Sequence, residues 1–139
     1  MFTSELVIKR NISEKNSYEL AAPLIWQDSL GVITIPAGFI YDGASVPRAF
    51  SSFVPRFGGR YDRATALHDY LYTTCFLSRK DSDKLFYQAL RSDKVRWIQA
   101  KLLYYAVRLF GKKHYKKRGG VNWQSAILII ATPAKIELS

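Results

Sequence analysis

His68, Asp69 and Tyr72 stand close together in one apolar-rich segment, and Asp83 follows in the next. On a helix, Tyr72 lies four residues after His68 and three after Asp69, so its ring faces near both. Asp83 precedes Phe86 and Leu90 at helical spacing, which turns it toward the core. A carboxylate buried there demands a partner, because an unpaired charge in an apolar interior is costly. Two antiparallel helices joined through the short Thr73–Lys80 connection would bring Asp83 to His68 or Tyr72. A carboxylate that holds one imidazole nitrogen leaves the other as a general base, or fixes the ring as a structural hydrogen-bonder. The candidate site is therefore His68, Asp83 and Tyr72, and the alternative for the same residues is a buried polar network that fixes helix packing.

A second compact cluster is Asp42-Gly43-Ala44-Ser45-Val46-Pro47-Arg48. Asp42 and Ser45 can bond neighbouring backbone groups, Gly43 supplies permissive torsions, and Arg48 can reach a carboxylate. The plainer reading is a strand-to-helix corner. The functional one is a weak cofactor or anion site built from Asp42, Gly43, Ser45 and Arg48. The remaining histidine, His114, sits among lysines and reads as a surface residue; with His68 and Cys75 it forms no recognised metal spacing. Cys75 is the single cysteine, so no internal disulfide exists, and it reads as a small buried apolar residue.

The elements that hold these residues follow from periodicity. Leu6 and Ile8, then Tyr18 and Leu20, alternate with polar neighbours. Leu24-Ile25-Trp26 and Val32-Ile33-Thr34-Ile35 flank Asp28-Ser29-Leu30-Gly31, a hairpin-like turn, and Phe39-Ile40-Tyr41 is a further short strand. After the Asp42-Gly43 turn, Ser45 and Pro47 suit the start of a short helix, and Pro55 and Gly58-Gly59 break the chain. From about Arg63 to Cys75, Ala64, Leu67 and Leu71 form one helical stripe. Ser78 with Asp81 resembles a capping box that opens a helix to about Arg91, with Leu85, Phe86, Ala89 and Leu90 inward. A third helix, from about Lys94 to Phe110, carries a stripe of Val95, Ile98, Leu102, Tyr105 and Leu109, and Gly111 stops it. The class is α+β: an N-terminal antiparallel β meander followed by a three-helix region that carries the His-Asp motif. One domain spans 1–139, mainly β over 1–41, mainly α over 42–118, with a C-terminal extension or strand over 119–139.

At 139 residues with 48% hydrophobic and 14% aromatic content, the chain is long and apolar enough for a packed core without staples. The N-terminus lacks a basic region followed by an apolar one, so no signal peptide is expected. The run Ala126–Ala131 is far short of a spanning helix, so no transmembrane segment is expected either. Formal net charge is +10, concentrated between Arg91 and Arg118, where Asp93 is the one acid. Lys94, Lys101 and Arg108 recur every seven residues on one side of the third helix, and Lys112, Lys113, Lys116, Lys117 and Arg118 extend the charge beyond it. Such a field favours an anionic partner (an acidic protein surface, nucleic acid or anionic lipid), and its alternative is a solvated face that aids solubility.

Phe39 with Asp42–Arg48, then Ala66-Leu67-His68-Asp69-Tyr70-Leu71-Tyr72, then Arg79, Asp83 and Phe86, then Tyr105, Val107-Arg108 and Gly111, resemble a family of small tailed-phage and prophage proteins catalogued as a domain of unknown function. The likeness covers about residues 30–111. It implies a phage-encoded protein located in the virion or the infected-cell cytoplasm, with phage structural proteins as partners. A more local likeness is to the phospholipase A2 helix, through His68-Asp69-x-x-Tyr72 followed by Asp83. It implies that His68 activates water, Asp83 orients it, and Asp69 binds Ca²⁺ with carbonyls of a glycine-rich loop. This chain departs from that pattern: Gly58-Gly59 is too near, Asp42-Gly43 too far, and the β-rich start has no counterpart there. The leading expectation is a tail- or neck-associated virion or assembly component that works by protein contacts. The alternative is a Ca²⁺-dependent lipid or ester hydrolase centred on His68 and Asp83, and a third is a nucleic-acid or host-factor binder using the basic face.

Overall fold

The computed structural model describes residues 1–10, 17–42, 60–112, 114 and 115. Five strands precede three helices: β1 (Ile8–Arg10), β2 (Ser17–Leu20), β3 (Leu24–Asp28), β4 (Gly31–Ile35), β5 (Ile40–Asp42), α1 (Asp62–Thr74), α2 (Arg79–Ser92) and α3 (Trp97–Phe110). The class is α+β, as the order of patterns predicts. The helices expected to begin near Ser45, and residues 116–139, lie outside the described residues.

The strands form two antiparallel sheets rather than one simple meander. β3 and β4 pair as a hairpin from Leu24↔Ile35 to Asp28↔Gly31. Its turn is held locally: Asp28 Oδ1 accepts the Leu30 N–H at 2.8 Å, and Oδ2 accepts the Trp26 indole N–H at 2.9 Å. Gly31 closes it at φ +142°, where a side chain would be strained. The second sheet has the order β1-β2-β5, so the chain makes the hairpin and then returns to pair β5 with β2. β1 is an edge strand and all of it is exposed, including Ile8, whose alternation with Leu6 suggested a core position. Pairing on one side only leaves that strand no second layer to cover it.

α1 is buried on nearly every side, from Ala64 through Tyr72, because it packs on α2 and also on β3 and β5. Its expected stripe of Ala64, Leu67 and Leu71 is fully enclosed. The helix ends at Cys75, which adopts a left-handed conformation (φ 52°) and returns its N–H to the Leu71 carbonyl. The Cys75 thiol is buried and donates to the Tyr72 carbonyl at 3.2 Å, and burial raises its pKa. Ser78 then caps α2, its Oγ accepting the Asp81 N–H at 3.1 Å. Leu85, Phe86, Ala89 and Leu90 all face inward, as their spacing predicts.

α3 corrects the sequence reading in two ways. Lys94 is not on the helix: it sits in the connection at φ 65°, and α3 begins at Trp97. The buried face of α3 is Ala100, Leu103 and Ala106, while Ile98, Tyr105 and Leu109 of the expected stripe are exposed. Small side chains face α2 because they allow the two backbones to approach closely; the larger stripe is real, but it points away from the core.

One ion pair ties the two layers together at the far end of α1. Arg63 clasps Asp93 with two parallel bonds (Nε to Oδ2 2.9 Å, Nη2 to Oδ1 2.6 Å) and donates a third to the Ser4 carbonyl. Its guanidinium also lies 4.9 Å from the centre of the Phe2 ring. The N-terminal segment, α1 and the end of α2 thus meet at one planar cation. Arg63→Ala leaves the largely buried Asp93 carboxylate unpaired and should cost about 2–3 kcal/mol in urea unfolding. Arg63→Lys keeps the charge but not the paired geometry, and should lie between the two.

Candidate functional site

The site is built where α1, α2 and α3 converge. Ser78 fixes the start of α2 after a short connection, so α2 runs back along α1 and Asp83 comes level with His68. The His68 Nε2 lies 2.7 Å from Asp83 Oδ1, and the Tyr72 hydroxyl donates to the same oxygen at 2.6 Å. Asp83 is wholly buried, and His68 keeps 8% of its surface exposed. The imidazole lies against the Tyr72 and Phe86 rings, whose centres are 4.1 and 4.6 Å away and whose planes are tilted by 45° and 34°. These three residues are the ones that the helical spacing predicts to meet.

Two arginines complete the arrangement. Arg108 of α3 donates to Asp83 Oδ2 at 2.9 Å. Arg79, one helical turn before Asp83, lies 3.7 Å from the same oxygen and donates to the carbonyls of Val107 and Arg108 at the end of α3. Arg108 therefore turns inward to the carboxylate, a correction to its expected place on the outward basic face. The Arg79–Asp83 spacing of four is visible in the sequence as a helical ion pair; the Arg108 contact needs the third helix and had no local signal.

These partners settle protonation. Burial pushes the Asp83 carboxyl upward, but the hydrogen bonds it accepts from His68, Tyr72 and Arg108 outweigh it and hold the group below the usual carboxylate range. An ionised Asp83 can only accept, so the His68 Nε2 carries the proton and donates it. Tyr72 is pushed well above its ordinary value, first by burial and then by its bond to Asp83, and stays a neutral donor. Among the described residues, the His68 Nδ1 has no hydrogen-bond partner.

Gly111 closes the site from α3. Its torsions (φ −79°, ψ −14°) are ordinary for any residue, so the stop signal does not act through a left-handed turn. What glycine provides is space: an added Cβ would run into the Val107 carbonyl and lie 2.7 Å from the Tyr72 hydroxyl. The Tyr72 ring is held further by an edge contact from Tyr115, whose hydroxyl donates to the Leu77 carbonyl at 2.9 Å.

Asp69, expected as a Ca²⁺ ligand, is buried but belongs to another face of α1. Its charge is felt by the Tyr41 phenol on β5, which burial, Asp62, Tyr18 and Asp69 together raise far above its ordinary value. Asp69 is also already engaged with another group. Among the described residues, no group of three or more His, Cys, Asp and Glu side chains could hold a metal ion. The glycine-rich segments whose carbonyls would join Asp69 lie outside the described residues, and no chemical step is derived through a calcium ion. The Asp42 side chain, Gly43, Ser45 and Arg48 lie outside the described residues, as do Lys113, Lys116, Lys117 and Arg118. Of the basic surface, Lys94, Lys101 and Lys112 are exposed. No helix among the described residues is long and apolar enough to cross a membrane.

The buried carboxylate carries two predictions. Because the folded pKa of Asp83 is depressed, its contribution to stability is complete above the unfolded value near pH 4 and is lost as pH falls through the folded value. Acid unfolding of Asp83→Asn, followed by circular dichroism, should start from a lower stability at neutral pH and be less steep below pH 4 than that of the parent. Gly111→Ala should cost about 1–3 kcal/mol by overpacking against Tyr72, and Gly111→Ala with Tyr72→Phe should recover part of that loss.

A comparison with known proteins gives the chain a family. The uncharacterized protein y4jT of Sinorhizobium fredii (strain NBRC 101917 / NGR234) is 33% identical over 96 residues, covering 68% of this chain and 29% of that protein. The chain thus spans under a third of the length of this relative. No solved structure matches it significantly. Residues 18–107, which include both members of the His68–Asp83 pair, match the family described as protein of unknown function (DUF1353), and the chain belongs to that family.

Proposed function

We propose that the protein is an ester hydrolase in which His68 is the general base and Asp83 is the carboxylate that orients it. The observation that carries this reading is the asymmetry of one imidazole: Nε2 is fixed 2.7 Å from a buried carboxylate, and Nδ1 has no partner among the described residues. In this scheme the Nδ1 lone pair takes a proton from water as its oxygen attacks the ester carbonyl. The imidazolium formed is stabilised through Nε2 by Asp83, then returns the proton to the departing alcohol oxygen as the C–O bond breaks. Arg108 and Tyr72 would keep Asp83 ionised and aligned, without touching substrate. The likeness of His68-Asp69-x-x-Tyr72 and Asp83 to the phospholipase A2 helix suggests lipid esters as the substrate class.

His68→Asn should abolish release of fatty acid from anionic phospholipid or of alcohol from a short-chain ester, assayed with and without calcium. Asp83→Asn should lower turnover by about 10²-fold or more. A parent protein with no ester hydrolysis under either condition overturns the proposal, as does a folded His68→Asn variant with undiminished activity.

A second reading keeps the same network as structure. Both Asp83 oxygens are engaged, by groups from α1 and α3, which is what a carboxylate that locks three helices together requires. The resemblance to tailed-phage proteins then points to a virion or assembly component, tail or neck associated, acting through contacts with phage structural proteins. The chain would co-purify with intact particles, and particles assembled with His68→Asn would be normal. Absence from particles, together with His68-dependent hydrolysis, rejects this reading.

A further inference from the structure

We propose that the outward face of α3 binds the surface of an anionic lipid bilayer. α3 carries a second apolar face. Its inward face is Ala100, Leu103 and Ala106, whereas Trp97, Ile98, Tyr105 and Leu109 are all more than half exposed. At 100° per residue these four share one side of the helix, and over 14 residues it runs about 21 Å. A contiguous row of large apolar side chains left in water is unfavourable, so the face suits a partner that covers it.

Charge identifies the partner. There is no Asp or Glu from Lys94 to Arg118. Exposed Arg96 precedes the apolar face, exposed Lys112 follows it, and Lys101 falls within it between Trp97 and Tyr105, its ammonium 5.9 Å from the centre of the Trp97 ring. A second copy of the same face would bring these cations against each other, so self-association through it is opposed. A bilayer with anionic headgroups satisfies both halves at once. The aliphatic side chains enter the acyl boundary, Trp97 and Tyr105 sit at headgroup depth, and the lysines and arginines reach phosphates.

This proposal does not rest on hydrolysis, because it is read as binding alone. The full chain is sedimented with vesicles of phosphatidylcholine, and with vesicles in which phosphatidylglycerol replaces part of it. Binding is expected only to the anionic vesicles, weakening but not vanishing as salt rises. Ile98→Glu and Leu109→Glu should each reduce the partition by about tenfold or more, and Lys101→Glu by about tenfold. None of these side chains is in the core, so far-UV spectra should be unchanged. Trp97 emission should shift to the blue on binding, and the shift should be missing in a Trp97→Phe variant that still sediments. Failure of the parent to sediment with anionic vesicles overturns the proposal. So does equal binding to neutral vesicles, or full binding by the Ile98→Glu and Leu109→Glu variants. A concentration-dependent dimer abolished by Leu109→Glu, or DNA binding without vesicle binding, would assign the face to a different partner and overturn it equally.

Discussion

A carboxylate with no exposure to water can remain ionised only if its neighbours replace the solvent, and Asp83 imposes that requirement on all three helices. One oxygen is met from α1 by His68 and Tyr72, and the other from α3 by Arg108, while Arg79 approaches from its own helix. Removing any one partner leaves a charge or a donor stranded in a low-dielectric interior, where the penalty is large. The consequence reaches the backbone. Gly111 is needed because the Tyr72 hydroxyl comes so near, and Arg79 gains a second role by satisfying the last carbonyls of α3.

The same requirement makes the centre compatible with chemistry. A depressed Asp83 pKa means that the carboxylate accepts from His68 and fixes which ring nitrogen carries the proton. A structural network and a catalytic dyad share these contacts; what separates them is the second nitrogen. Packing places no demand on Nδ1, which is not one of the described buried side-chain atoms left without a partner, so its role is read from proton transfer alone.

Charge is distributed by the same logic. Arg63 and Asp93 neutralise each other between the sheet side and the helices, and Asp83 takes up Arg108. Asp93 and Asp83 are therefore both used internally. The exposed cations on and beside α3, Arg96, Lys101 and Lys112, have no acid between Lys94 and Arg118 in the sequence, and they accompany the apolar side of the helix. A basic surface that looked like a simple run of lysines and arginines is thus a mixed one, with aromatic and aliphatic groups at its centre.

Local patterns determined the hairpin at Asp28–Gly31, the Ser78 cap, the buried stripes of α1 and α2, and the meeting of His68, Tyr72 and Asp83. Each depends on alternation, helical phase or a short connection, and those act within a few residues. Tertiary structure alone decided the sheet order, the inward turn of Arg108 and the outward turn of the α3 stripe. β5 pairs with β2 across the inserted hairpin, a choice made by long-range closure. Apolar spacing in α3 shows that a stripe exists, but not which way it faces. Ala100, Leu103 and Ala106 win the core side because close packing against α2, together with the Arg108–Asp83 bond, fixes the rotation of the helix. Hydrophobicity summed along one segment cannot weigh that contact, because the residue that pays for it lies on another helix.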